Sequence, residues 1–573
     1  MARLIGEDPS VTRTPERSLT LGLMALAGAV HLGLIFGSDP AALLTTWVPD
    51  DAFYYLQPAW NAAAGLGFSF DGVEPTYGFQ PLWALVLAAV STLLPGKAAL
   101  VPVALLLGGA LHLLAGALLF RWFEQADLAR GGVVAAAIWL LNPNVMMMQA
   151  SGMESGLVAC LILATLLLLS APTAGFALGV VLGLLVLARV SMLAFVLLVA
   201  GGLLWRRRPA RTVLGVGGGL VLVCLPWLIY ALVTLGQPLP ASMDRKLVSG
   251  FAGAGRFLAG LPLVPDGLVR GLLPFSEREF FDLPALVGPT WERLWRLGVR
   301  APVGWALGSW LPARMEVSAL VLLAGWTALL VRLRGSSKAR LPTGAGLLVA
   351  LAVINAAANN LLLSQYVEYG FWYRVPEVLC ITAAVGVLAA RALAPDRPLT
   401  RPLQITFGVV LVTALISTAS TLRPRSHDPD STLMTRGALD VARALSERLP
   451  AGAKVGSWNA GLIGWMADGP MIVNLDGLAN RPDFVPIAAQ EVRFRHGLDE
   501  GLELLGWLER NGVEYLVDLQ PIDVADEPFY GVIPSICVSF VLRSTEVDHW
   551  QWRDRAYAVT LVRLLPAGSC TVR

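Results

Sequence analysis

Asp50 and Asp51 are adjacent and follow the first long apolar run of the chain, in "PDDAFYYLQPAWNAAAGLGFSFDGVEPTYGFQPLW" (49–83), a stretch with no Lys, Arg or His. Side-by-side carboxylates raise the cost of ionising both. An acid so perturbed beside an apolar surface suits general-base work near neutral pH. The plainer alternative is a helix N-cap ahead of "AFYYLQ", for which one acid is enough. Four other ionisable positions stand out. Glu154 lies in "SGMES" (151–155), where an acid either binds a ligand or begins a helix. Arg189 and Glu377 sit within apolar runs, and Arg374 opens "YRVPEVL" (373–379). An ionisable side chain inside an apolar run is a functional hypothesis by default. His31 and His112 also lie in apolar runs and read as packed residues.

Towards the C-terminus, "GSWNAGLIGW" (456–465) and "VNLDGLAN" (473–480) follow or end short apolar strands. Loops at the carboxyl ends of α/β strands often build sites, which makes Trp458, Asn459 and Asp476 candidates for holding an acceptor, with Trp458 stacking on a sugar. Ordinary turn chemistry explains the same residues. Cys160, Cys224 and Cys380 read as inert packing residues. Cys537 and Cys570 are free to pair if their region is outside the cytoplasm, and spacing leaves that open. No HExxH, Cys-x-x-Cys or P-loop pattern occurs, so zinc-protease and nucleotide-hydrolysis readings lack support.

These residues have to be positioned by a greasy scaffold. Of 573 residues, 55% are hydrophobic and 15% charged, with a mean hydropathy of +0.63; soluble domains carry about a quarter charged residues. The reading is a polytopic α-helical membrane protein. A net charge of +2 gives no reason to expect a nucleic-acid partner. Apolar runs appear at about 19–36, 81–94, 99–120, 131–149, 155–171, 173–190, 193–205, 212–234, 315–333, 343–362, 375–392 and 402–420. The first reads as a retained span after a polar cytoplasmic segment, 1–18.

Basic loops at Arg206–Arg211, Arg332–Arg340 and Arg391–Arg401 set the inside face, with the N-terminus. Residues 37–80 and 236–314 and the C-terminal region then lie outside. That parity needs an odd number of spans, so the sequence predicts about eleven transmembrane helices, with one short run, such as 81–94, re-entrant or interfacial. The transmembrane part is 19–421. "AFYYLQPAWNAAAGLGF" is amphipathic and aromatic, suited to the membrane interface. Residues 422–573 alternate helical and strand patterns in the order α-β-α-β-α-β-β-β, an extracytoplasmic α/β or α+β domain.

"DDAFYY" (50–55) resembles the first-loop motif of the GT-C superfamily of integral membrane glycosyltransferases. The protein mannosyltransferase-like and aminoarabinose transferase-like branches share it. "GFQPLW" (78–83), "SGMES", "PLPASMDRK" (238–246) and "YRVPEVL" resemble further elements of that superfamily. The resemblance implies a GT-C-like fold in a cell membrane, plasma or inner. It implies a donor sugar on a polyprenyl phosphate and an acceptor glycan, lipid or protein outside the cytoplasm. An acid of the first loop would deprotonate the acceptor hydroxyl, with inversion at the anomeric carbon and the lipid phosphate leaving.

Carried over by position, Asp50 is the first acid and the expected base. Asp51 would orient the acceptor or bind a metal, and the reverse order stays open. The departing phosphate needs cations, for which Arg189, Arg245, Lys246 and Arg374 are candidates; Arg offers a bidentate fork and Lys a point charge. Snorkelling to the interface is their alternative use. Glu154, Tyr54, Tyr77 and Gln80 are candidates for the acceptor or a metal. No cofactor is firmly implied beyond a possible divalent metal at Asp51 and Glu154. The competing readings are a flippase for lipid-linked saccharides and a non-catalytic assembly protein. No internal repeat of the kind transporters carry is visible.

Overall fold

A computed structural model describes residues 14–171, 174–240, 341–362, 371–393, 429–477, 502–521, 538–542, 550–552 and 555–565, with 479, 484 and 487. Arg245, Lys246, Cys537, Cys570 and the runs at 315–333 and 402–420 lie outside these. Each apolar run inside them is helical: α1 Pro15–Gly37, then, after the first-loop helix α2 Asp50–Ala63, α3 Pro81–Ser91, α4 Leu100–Glu124, α5 Ala129–Leu141, α6 Ser155–Leu168, α7 Gly175–Ala188, α8 Leu193–Trp205, α9 Ala210–Leu235, α10 Ala345–Leu362 and α11 Val375–Ala392. The run at 131–149 breaks at Asn142 into α5 and a short helix, Pro143–Gln149.

Among the described residues, four helical stretches are long and apolar enough to cross a membrane: Pro15–Gly37, Lys97–Glu124, Ala210–Leu235 and Trp372–Arg391. Six apolar helices are shorter, and the eleven expected spans reach beyond the described residues. With its 11 residues, α3 rises about 16 Å, half the ~30 Å of a bilayer core. The fourteen-residue run at 81–94 thus forms a helix too short to span.

Pro49, in extended backbone, is the cap residue of α2, and Asp50 and Asp51 fill its first turn, where acids favour the helix dipole. Helix α2 is enclosed on both flanks: Ala52, Phe53, Leu56 and Ala59 are fully buried, and Tyr54 and Tyr55 nearly so.

What encloses it is the C-terminal domain on one side. That domain runs α12 Pro429–Arg448, β1 Lys454–Ser457, α13 Ala460–Met466, β2 Met471–Asn474, α14 Leu502–Arg510, β3 Tyr515–Pro521, β4 Val538–Leu542, β5 Trp550–Trp552 and β6 Arg555–Leu564. The sheet order is β2-β1-β3-β6-β4, with β5 paired to β6. Strands β2, β1 and β3 are parallel, as short helical crossovers require; β6 runs antiparallel to β3, β4 and β5. The expected helix and strand order holds, with the three-residue β5 added. Gly512, at φ 65°, closes the turn after α14. One apolar cluster spans both parts of the chain: Phe53, Leu56 and Trp83 pack with Leu445, Ile463 and Trp465. Burying such side chains contributes about 1.5–3 kcal/mol each, so this seam is part of the fold.

Candidate functional site

Residues four apart share a helix face, so α2 presents Asp50 with Tyr54 on one side and Asp51 with Tyr55 on an adjacent one. The Asp50–Tyr54 side meets the C-terminal domain. Asp50 does not cap its own helix. Its carboxylate accepts the backbone N–H of Gly461 (3.1 Å to Oδ2) and of Leu462 (2.7 Å to Oδ1). Those are the second and third residues of α13, whose own cap residue, Asn459, is in the left-handed region (φ 48°) and makes no side-chain cap bond. Asp50 therefore does an N-cap's work for a helix 411 residues away. Glycine at 461 makes room for this. A Cβ there would lie 2.8 Å from both Asp50 Cγ and Oδ1, and nearer still to the Asp50 carbonyl oxygen.

Beside it, Tyr54 donates its hydroxyl proton to Asp476 Oδ2 (2.9 Å), which also accepts from Asn459 N (2.8 Å) and Asn474 Nδ2 (3.0 Å). Asn474 Nδ2 reaches Tyr54 Oη as well, at 3.0 Å. Burial pushes the Asp50 carboxyl up to about 7; the Leu462 N–H pulls it down, and the Asp476 and Asp51 charges push it up again. Burial first, and then the Asp476 charge, hold the Tyr54 phenol well above its usual range, so it stays a proton donor.

Tyr55, the next residue, looks elsewhere. Burial, then the Glu154 carboxylate, raise the Tyr55 phenol well above its usual range, which locates Tyr55 beside Glu154. Glu154 Oε1 forms an ion pair with Arg189 Nη1 at 3.4 Å, and both side chains are almost wholly buried. Arg189 donates to the Trp372 carbonyl at 2.6 Å and lies over the Tyr373 ring at 4.5 Å. On the same 371–374 turn, Arg374 pairs with Glu377 at 3.2 Å, and Glu377 accepts from Asn355 Nδ2 at 2.8 Å. Asn355 also donates to the Tyr373 carbonyl at 2.8 Å. Buried ions are costly unless paired and hydrogen-bonded, and each of these has an ion-pair partner. Glu154 Oε2 is buried with no hydrogen-bond partner.

The short motifs singled out in the sequence thus converge. Trp83 of "GFQPLW" donates its indole N–H to the Gly152 carbonyl of "SGMES" at 2.7 Å. Gln80 Oε1 accepts from Val190 N at 3.0 Å, so Gln80 ties the end of the first loop to the Arg189 turn. Tyr77 stands apart. It accepts from Trp227 Nε1 at 2.9 Å inside an aromatic cluster with Phe79. Trp458, 4% exposed, lies in the core of the C-terminal domain with Leu475 and Leu516; its buried ring corrects the expectation of a sugar-stacking surface. Asn459 contributes its backbone N–H, not its side chain, and Asp476 is brought directly to the first loop. His31 Nε2 and His112 Nδ1 are 2.8 Å apart, and His112 Nε2 faces the Trp139 carbonyl at 2.9 Å, the packed role expected of them. Among the described residues no group of three or more His, Cys, Asp or Glu side chains is placed to hold a metal, and Asp51 and Glu154 do not form such a cage.

Sequence reasoning missed Tyr55, Asn355, Tyr373 and Asn474. Tyr55 had a signal, its i+4 spacing from Asp51. Asn474 and the amides of Gly461 and Leu462 had none, because their partners are more than 400 residues away.

Residues 430–561 match a family described as a domain of unknown function (DUF8728). No curated protein matches the chain. The chain is similar to the crystal structure of the Archaeoglobus fulgidus oligosaccharyltransferase in its apo form, with a TM-score of 0.43 and 14% identity over 91% of this chain and 73% of that one. It is also similar to ArnT from Cupriavidus metallidurans bound to undecaprenyl phosphate, with a TM-score of 0.39 and 14% identity over 94% of this chain and 98% of that one.

Proposed function

We propose that the protein is an inverting glycosyltransferase that moves a sugar from a polyprenyl phosphate to an acceptor hydroxyl on the outer face of a cell membrane, with the N-terminus inside. The observation that carries this reading is the division of labour on α2: Asp50 is bonded to the C-terminal domain, and Tyr55, four residues after Asp51, lies beside the buried Glu154–Arg189 pair.

Asp51 is the base in this scheme. It takes the proton of the acceptor hydroxyl as that oxygen attacks the anomeric carbon; the bond from that carbon to the phosphate oxygen breaks, and the polyprenyl phosphate leaves with the electron pair. Asp50, committed through both oxygens to Gly461 and Leu462, is a positioning residue that fixes the helix bearing Asp51. This assignment reverses the order expected from the motif. Arg189 keeps guanidinium N–H groups beyond the one given to Trp372, since the group carries five, and stands with Arg374 to meet charge on the leaving phosphate. Tyr55 and Glu154 hold Arg189 in place.

The test uses full-length protein in nanodiscs with undecaprenyl-phosphate-linked sugars and a panel of hydroxyl acceptors. Asp51→Asn lowers transfer by about 10²–10⁴-fold, the usual worth of a positioned base, while Asp50→Asn keeps most of it. Full transfer by Asp51→Asn refutes the assignment.

A further inference from the structure

A crevice of about 80 Å³ opens between the first loop and the C-terminal domain, and the catalytic scheme does not use it. Phe70, Asp71 and Glu74 line it from the loop, and Lys454, Asn474, Trp507 and Asn511 from the domain. Its volume is about six water-sized positions, taking 10–15 Å³ for each, which is the scale of one sugar ring.

The wall is polar and built. Asp71 Oδ1 accepts the backbone N–H groups of Val73 (2.9 Å) and Glu74 (2.8 Å), which fixes the carboxylate on a turn and leaves Oδ2 to another donor. Lys454 is held by the Asn511 carbonyl at 2.9 Å, and Asn511 Nδ2 by the Trp507 carbonyl at 2.8 Å. The indole of Trp507 is half-buried and steadied by the Phe484 ring at a centroid distance of 4.3 Å.

The edge of the sheet adds backbone groups. Among the described residues, strand β2 pairs only with β1. Met471 N donates to the Ala453 carbonyl and Leu475 N to the Ser457 carbonyl. By strand alternation, the N–H and C=O of Ile472 therefore point away from β1, on the side that lines the crevice.

Acceptors, donors and an aromatic ring close together suit a ligand whose hydroxyls both donate and accept and whose C–H faces stack. Two carboxylates, Asp71 and Glu74, disfavour a phosphate. Asn474 belongs to the crevice and also donates to Tyr54 and Asp476, so the crevice borders the Tyr54–Asp476 contact between α2 and the C-terminal domain. We infer that this crevice binds a neutral sugar residue of the acceptor. That it is the acceptor's sugar rests on the proposed transfer reaction; that it binds a sugar does not.

The experiment is saturation-transfer NMR on the full chain in nanodiscs with methyl α-D-glucopyranoside, methyl α-D-mannopyranoside, methyl β-D-galactopyranoside and methyl α-D-arabinofuranoside. At least one glycoside receives saturation. Trp507→Ala weakens it by about fivefold or more, the scale of a lost aromatic contact. Asp71→Asn, which keeps an oxygen for the Val73 and Glu74 N–H groups and so preserves the turn, weakens it too. Asp51→Asn leaves the signal intact, so binding that survives without any detectable transfer separates failure of the reaction scheme from failure of this inference. No saturation of any of the four glycosides overturns it, as does a signal that both crevice variants leave unchanged.

Discussion

Gly461→Ala probes the bond between the two halves of the protein. The new Cβ would lie 2.8 Å from Asp50 Cγ and Oδ1, against 3.4 Å for an ordinary contact. Relief means a retreat of at least about 0.6 Å, and more to clear the Asp50 carbonyl. The 3.1 Å bond from Gly461 N then stretches to about 3.7 Å, beyond a hydrogen bond, and the 2.7 Å bond from Leu462 N to about 3.3 Å. A hydrogen bond to a charged group contributes about 1.5–3 kcal/mol. Losing one and weakening another costs about 2 kcal/mol, or roughly thirtyfold in the opening equilibrium. Amide hydrogen exchange of peptides covering 459–466, in full-length protein in nanodiscs, reads that equilibrium directly. Asp50→Ala removes the same acceptors, so the double variant opens little further than Gly461→Ala alone. Exchange within twofold of the parent in Gly461→Ala, or fully additive single effects, would refute the capping argument.

Glu154→Gln leaves the Arg189 guanidinium buried without its carboxylate; such a loss costs about 3–5 kcal/mol, and the thermal midpoint falls by several degrees, with part of the loss restored by adding Arg189→Gln. Burial raises the Asp50 carboxyl to about 7 when folded, from the 3.8 of a free aspartate. Between about pH 4 and 7 the folded state keeps a proton that the unfolded chain has released, so this group's contribution is most favourable below pH 4 and is lost as pH rises to 7. Asp50→Asn should remove that slope from the thermal midpoint measured across the window.

Period and composition made the scaffold legible. Apolar runs gave the helices, and the order of strands and helices after residue 429 was readable because each short element carries its own pattern. The paired acids at 50–51 and the buried ions at 154, 189, 374 and 377 were readable for a similar reason, since charge in an apolar setting is conspicuous. Their partners were not. Asp50 resembles a local N-cap, yet the helix it caps lies in another domain, and no local rule reports a pairing across 411 residues. Trp458 misled in the opposite sense: a tryptophan in a turn between strand and helix suggested a surface, whereas the turn folds its ring into the core. The mixed sheet escaped for want of length, because β5 is three residues long and strand direction is set by partners.

The distance between Asp50 and α13 also imposes an order on biogenesis. A ribosome adding about 5–20 residues per second needs roughly 20–80 s to pass from the first acid to its 411-residue-distant partner. During that interval the first loop has been made and its clamp has not. The helix that carries Asp51 therefore acquires its final setting only after the C-terminal domain has been synthesised and folded against it. A prematurely terminated chain would keep every helix of the membrane part up to its break and still leave the acid pair unanchored.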